Sequence, residues 1–208
     1  MVKHVTLTGR FSDAAAYAAI AHADQVRKGT EIPYLAHLLS VTSLVLEYGG
    51  DELQATAAVL HDVVEDHGGR RRLEDVRGRF GKDVAELVAS LSDAAPADGE
   101  AKAPWAERKE AYLDHLRDMA QAGHPAMLVS LCDKLHNARA IVADATDPDG
   151  PGREVWARFQ ADSDQVVWYY QSLHDVFAET EGLPRRAVRE FAEVVDELAT
   201  AATAGSAS

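Results

Sequence analysis

Apolar residues in this 208-residue chain recur at three- and four-residue steps almost from end to end, and no stretch alternates apolar with polar residues as a half-buried strand does. That spacing commits the chain to packing helix on helix, because each helix buries one stripe and needs a partner for it. Ser12 is the expected N-cap of a first helix, with Ala14, Tyr17, Ala18, Ala21 and Val26 sharing a face, and the loop RKGTEIP at 27–33 ends it. Pro33 suits the first position of a second helix, in which Leu35, Leu38, Leu39, Thr42, Val45 and Leu46 recur until Gly49-Gly50 stops it. Asp51 then caps a third helix whose Leu53, Ala57, Leu60 and Val64 point inward, which carries HDVVED at its end and which Gly68-Gly69 closes. Further helices are expected over about 73–80, 82–92, 105–122, 125–143, 162–180 and 184–200. DAAPADGEAKAP at 93–104 and DATDPDGPG at 144–152 read as connectors, and the final AATAGSAS should fray. With no repeat and no linker composition, the expectation is an all-α, single-domain bundle.

Composition narrows the function classes. At 47% apolar and 26% charged residues the chain falls outside the disordered and low-complexity ranges. The 34 acids and 21 bases leave a formal charge of −13, which repels nucleic acid and anionic lipid at long range. Neither is an expected partner, and an anionic small molecule would need locally concentrated bases. Cys132 is the single cysteine, so an internal disulfide and a thiolate metal cluster are excluded. MVKHVTLTGRF lacks the apolar core of a secretory signal, and no run reaches the roughly 18 apolar residues of a membrane span. A cytoplasmic address is the expectation.

The chemistry-bearing residues form a pattern. His61 and Asp62 are adjacent near the end of the third helix, Glu65 follows His61 by four residues and Asp66 follows Asp62 by four, so helical spacing stacks a second carboxylate pair beyond the first. The alternative is a hydrated acidic helix end, but acids there oppose the macrodipole, a conflict that a cation removes. His37 sits among apolar residues in YLAHLLSV, either as a hydrogen-bonded core histidine or as a ligand. Asp133 is embedded in MLVSLCDKLHNARAIV, where an acid needs either an ion pair or a metal, and Asn137 follows it by one turn. Two His and two Asp leave open positions on a six-coordinate ion. Imidazole with carboxylate and water suits Mn²⁺ or Fe²⁺, with Zn²⁺ and Mg²⁺ remaining open. Arg27 and Lys28 are either a solvated basic loop or the local bases that an anionic ligand requires, and Arg70, Arg71 and Arg72 read as surface. A second pair, His174-Asp175, has no matching histidine and no embedded acid, and reads as solvated or capping.

In the order His37, His61-Asp62, Asp133, the chain resembles the HD-domain metal-dependent phosphohydrolases. More narrowly it resembles the hydrolase domain of RelA/SpoT homologues and the small alarmone hydrolases. The matching segments are RKGTEIPYLAH at 27–37, AAVLHDVVED at 57–66, RFGKDVAELV at 79–88, ERK at 107–109 and LCDKLHNAR at 131–139, within about 11–178. Leu38 stands where proline usually follows the first ligand, and Gly29 where serine is common beside the Arg-Lys pair.

The resemblance implies an HD-type bundle with a core over about 11–180, a C-terminal helix over about 184–200 and a frayed tail at 201–208. It implies release of pyrophosphate from the 3′ position of guanosine tetra- and pentaphosphate, usually with Mn²⁺. His37, His61, Asp62 and Asp133 would hold the ion, Glu65 and Asp66 would orient and deprotonate the attacking water, Arg27 and Lys28 would contact the nucleotide, and Asn137 its ribose or base. Two other readings share the pattern: an HD phosphohydrolase acting on an adenosine alarmone, NADPH or a deoxynucleoside monophosphate, and a non-catalytic nucleotide-binding or antitoxin-like module. The Glu65-Asp66 pair favours turnover, because binding alone needs no base.

Overall fold

The computed structural model describes residues 4–91 and 103–204. Its elements are α1 (Gly9–Ala21), α2 (Leu35–Glu47), α3 (Glu52–Leu60), α4 (Val63–Asp66), α5 (Gly69–Phe80), α6 (Lys82–Leu91), α7 (Trp105–Gln121), α8 (Ala126–Thr146), a 3₁₀ helix (Gly152–Arg158), α9 (Ser163–Glu179) and α10 (Arg185–Thr203). The all-α expectation holds, and among the described residues none belongs to a strand. Most of the connector expected at 93–104 and the last residues of the tail lie outside the described residues. Among the described residues no helix is long and apolar enough to cross a membrane.

The chain divides into two compact units, Met1–Glu100 with Leu128–Cys132, and Ala101–Met127 with Asp133–Ser208. In the first unit α3 is central. Residues Ala55, Thr56, Ala57, Ala58, Val59 and Leu60 are all fully buried, and α1, α2 and α6 pack around it. Its small side chains let neighbours approach on every side, which is how a helix apolar all round is accommodated. Asp51 starts it with a capping box: its carboxylate accepts from the Gln54 amide at 3.0 Å, and Gln54 Oε1 accepts from the Asp51 amide at 3.0 Å. In the second unit α9 packs on α7 and α10, with Phe177 and Phe191 edge to face at 5.4 Å. Along α10, Ala187, Phe191, Val194, Val195, Leu198 and Ala202 form one buried stripe.

Several local expectations are corrected. Thr8, not Ser12, caps α1, its hydroxyl accepting from the Arg10 amide at 3.3 Å, and the helix stops at Ala21, so Val26 is not on its face. Val26 instead pairs with Pro33 in an isolated antiparallel bridge and is exposed. Leu39 is also exposed, because the inward face of α2 runs through His37, Leu38, Val41, Thr42, Leu44 and Val45. The third helix is not continuous through HDVVED: it ends at Leu60, and α4 begins at Val63. His61 Nδ1 donates to the Ala58 carbonyl at 2.7 Å, the acceptor that an unbroken helix would offer to residue 62. Asp62 then relaxes to φ −94°, ψ −8°.

Candidate active site

The break between α3 and α4 sets the geometry of the site. His61 is buried at the end of the apolar α3, and its Nδ1–H bond to Ala58 fixes the tautomer that leaves Nε2 as a bare lone pair. His37 is buried one turn into α2, which packs on α3, and its Nε2 lies 3.4 Å from His61 Nε2. Asp62 Oδ2 is 3.0 Å from His61 Nε2 and 3.7 Å from His37 Nε2. The same oxygen accepts from the Tyr34 hydroxyl at 2.5 Å. Two imidazole nitrogens and a carboxylate oxygen thus face one another on the first unit.

Asp133, on α8, belongs to the second unit and is buried. Both oxygens of Asp133 are oriented from their own helix. Asn137 Nδ2 donates to Oδ1 at 2.7 Å and Lys134 Nζ to Oδ2 at 2.8 Å, while Lys134 lies 4.8 Å over the Tyr112 ring. Of the two sequence readings of Asp133, the ion pair is present, with Lys134 as its partner. The His37, His61 and Asp62 donors fit a divalent ion: the Ala58 carbonyl holds the His61 proton on Nδ1, the Tyr34 hydroxyl holds Asp62, and such outer partners are what orient ligands in metal sites.

Glu65 is exposed on α4, and so is Asp66, whose amide bonds to the Asp62 carbonyl at 2.9 Å, one turn on. Asp66 Oδ2 accepts from Gln25 Nε2 at 2.8 Å. Arg27 and Lys28 lie at the turn between α1 and α2, closed by Arg27 N to Ile32 O at 2.8 Å and Thr30 N to Arg27 O at 3.0 Å. Gly29 sits in that turn at φ 75°, a left-handed conformation that serine adopts only with strain. The pair His174-Asp175 is 3.7 Å apart with Asp175 79% exposed, as a solvated pair would be.

Periodicity missed four residues here. Tyr34 precedes His37 by three residues and holds Asp62, and a tyrosine that close to a buried histidine was the available signal. His22 and Gln25, with His67, form a second polar knot on the same unit. Burial holds the His22 imidazole below its ordinary pKa, against a hydrogen bond to Gln25 that raises it.

A family model described as HD domain matches residues 14–164. The chain belongs to the HD-domain family. Among curated proteins it is 32% identical over 165 residues to the Drosophila melanogaster guanosine-3′,5′-bis(diphosphate) 3′-pyrophosphohydrolase MESH1, covering 75% of this chain and 85% of that one. It is 34% identical over 131 residues to a probable guanosine-3′,5′-bis(diphosphate) 3′-pyrophosphohydrolase of Synechocystis, covering 62% of this chain and 16% of that one. Identity to the bifunctional (p)ppGpp synthase/hydrolase SpoT of Escherichia coli is 33% over 135 residues, covering 64% of this chain and 18% of SpoT. The matched segment is thus a small fraction of the two long proteins, and most of MESH1. A solved structure described as a metazoan ortholog of SpoT that hydrolyzes ppGpp and plays a role in starvation responses superimposes with TM-score 0.71 at 27% identity, covering 93% of this chain and 98% of that one. The HD-type helical fold expected from the sequence is therefore the observed one.

Proposed function

We propose that this protein is a divalent-metal-dependent hydrolase that removes pyrophosphate from the 3′ position of guanosine tetra- and pentaphosphate. The observation that carries the reading is the convergence of His37, His61 and Asp62 in an HD-domain chain that spans most of a relative named for this reaction. His37, His61, Asp62 and Asp133 are the proposed ligands and Mn²⁺ the proposed ion. When bound, such an ion draws down the pKa of the attacking water and neutralises charge on the phosphate.

The side chains divide the remaining work. Glu65, an exposed carboxylate one turn beyond His61, accepts the proton of the water that attacks the 3′-linked phosphorus. The bond from that phosphorus to the 3′ oxygen breaks, pyrophosphate departs and the 3′ oxygen regains a proton. Asp66 stands beside Glu65 and is steadied by Gln25, so it orients the water. Arg27 and Lys28 supply the positive charge that a polyanionic nucleotide needs on a chain of net charge −13, and the Arg27 guanidinium offers a planar face to a purine. Asn137, whose Nδ2 donates to Asp133, is the residue proposed to meet the ribose or base. The small anionic nucleotide is the partner, neither nucleic acid nor membrane is involved, and a cytoplasmic address follows from that substrate.

The test is a set of three variants. His61→Ala and Asp62→Ala should lose both bound metal and turnover, whereas Glu65→Gln should keep the metal and lose roughly 10²-fold or more in rate. Equal loss of metal in Glu65→Gln would overturn its assignment as base. A substrate panel with Mn²⁺ decides the nucleotide: orthophosphate from deoxynucleoside monophosphates, with no pyrophosphate from ppGpp, would replace this reading with its nearest rival.

A further inference from the structure

The polar knot of His22, Gln25, Asp66 and His67 lies wholly in the first unit and shares no residue with the proposed ligand set. His22 closes α1 and His67 closes α4, 45 residues apart, yet His67 Nε2 lies 3.1 Å from His22 Nδ1. Gln25 Oε1 is 2.7 Å from that His22 nitrogen and 2.8 Å from that His67 nitrogen. On its other side the Gln25 amide donates to Asp66 Oδ2 at 2.8 Å. One ligand atom each from His22, Asp66 and His67 lies within 4.8 Å of the others.

These separations have a chemical meaning. Atoms bound at about 2.0–2.2 Å to one ion and at right angles to each other stand about 2.8–3.1 Å apart. The two imidazole nitrogens and the amide oxygen stand 2.7–3.1 Å apart, close to that spacing. Three features favour a cation over a purely hydrogen-bonded arrangement. His22 Nε2 is buried with no donor against it, so the ring proton that Nδ1 shares with Gln25 Oε1 can move to Nε2 when Nδ1 gives its lone pair to an ion. His22 sits at the C-terminal end of the 13-residue α1, where the helix dipole favours positive charge. The backbone of His67 is held in place by Arg72, whose Nε donates to its carbonyl at 2.9 Å.

We propose that His22, Asp66 and His67, with the Gln25 amide oxygen, form a second divalent-cation site. Two imidazoles, one carboxylate and one amide oxygen select a borderline first-row transition ion such as Co²⁺ or Zn²⁺ over Mg²⁺ or Ca²⁺. The ring of Tyr34 stands between the two sites, stacked on His22 at 5.1 Å and tilted against His37 at 5.4 Å. An ion here ties the α1–α2 connector to α4 and withdraws electron density from Asp66. That leaves Glu65 as the base, a corollary that rests on the proposed function while the site itself does not.

The test counts ions with Co²⁺ as the probe, by equilibrium dialysis and elemental analysis of the full chain, with helix content checked by circular dichroism. The expected result is about two ions per chain, falling to about one in His67→Asn, about one in His61→Ala and none in the double variant. The ion lost with His67 should dissociate at least about 100-fold more readily, since removing even an outer partner of a ligand costs 10–100-fold. His22→Asn, from the opposite side of the knot, should give the same loss. Wild-type stoichiometry and affinity in His67→Asn would overturn the second site and leave a hydrogen-bonded cluster only. So would a single wild-type ion that vanishes in His61→Ala, which leaves the first site standing. A single ion that survives His61→Ala and vanishes in His67→Asn would instead support this site and defeat the first.

Discussion

Tyr34→Phe isolates one hydrogen bond at the proposed metal centre. The hydroxyl donates to Asp62 Oδ2, the oxygen that also faces His61 at 3.0 Å and His37 at 3.7 Å. Phenylalanine keeps the ring against His22 and His37, so no cavity opens and the melting temperature should barely move. What is lost is a hydrogen bond to a charged acceptor, worth about 1.5–3 kcal/mol. Asp62 is 20% exposed, so water replaces part of that bond and the lower half of the range applies. At about 1.4 kcal/mol per tenfold this weakens ion binding by roughly 10- to 40-fold, within the 10- to 100-fold span known for outer partners of metal ligands. Titration of the metal-free variant with Mn²⁺ by calorimetry reads the change directly, and turnover at saturating Mn²⁺ should return to within a few-fold of wild type. An affinity within twofold of wild type would refute the reasoning, because the Tyr34 hydroxyl would then not be orienting a ligand.

Other expectations follow from the packing. In Gly50→Ala the new Cβ would stand 2.5 Å from Val45 Cγ1 and 2.8 Å from the Val45 carbonyl oxygen, so a loss of about 1–3 kcal/mol in chemical denaturation is expected. Asp51→Ala removes the capping box of α3 and should cost about 1 kcal/mol by the same assay. His124 Nδ1 accepts from the Ala126 amide at 3.2 Å at the start of α8, and burial first, then the charge of His115, hold its pKa below the ordinary 6.5. Because the unfolded chain binds that proton more readily, the contribution of His124 to stability is complete above pH 6.5 and declines as pH falls from there toward its folded pKa. His124→Ala should flatten that part of the stability–pH curve, and an unchanged slope would assign the pH dependence elsewhere.

Helix positions and the buried histidines were legible because each left a local trace. The Asp51 cap, the Gly49-Gly50 stop and the stripe of α10 are short-range patterns, and His37 and Asp133 stood out as polar residues in apolar helices. What escaped was set by side chains that compete with the backbone or meet across long stretches of chain. The interruption after Leu60 depends on a His61 ring bonding to Ala58, which periodicity does not register. Asp66 was expected to stack over Asp62 on a continuous helix; its amide does keep that turn, but its carboxylate goes to Gln25, 41 residues away. His22 and His67 follow no common spacing, and only the fold brings them together.

The third helix also limits how this chain can vary. It is clamped at both ends, by the cap at Asp51 and by the His61 ring bonded to Ala58, and every side chain from 55 to 60 is out of water. Adding or deleting one residue between those clamps would swing His61 by about 100° and carry it about 1.5 Å along the axis. Surface charges can drift and turns can lengthen, but the count from Asp51 to His61 acts as a ruler, and sequences that keep the chemistry must keep the number.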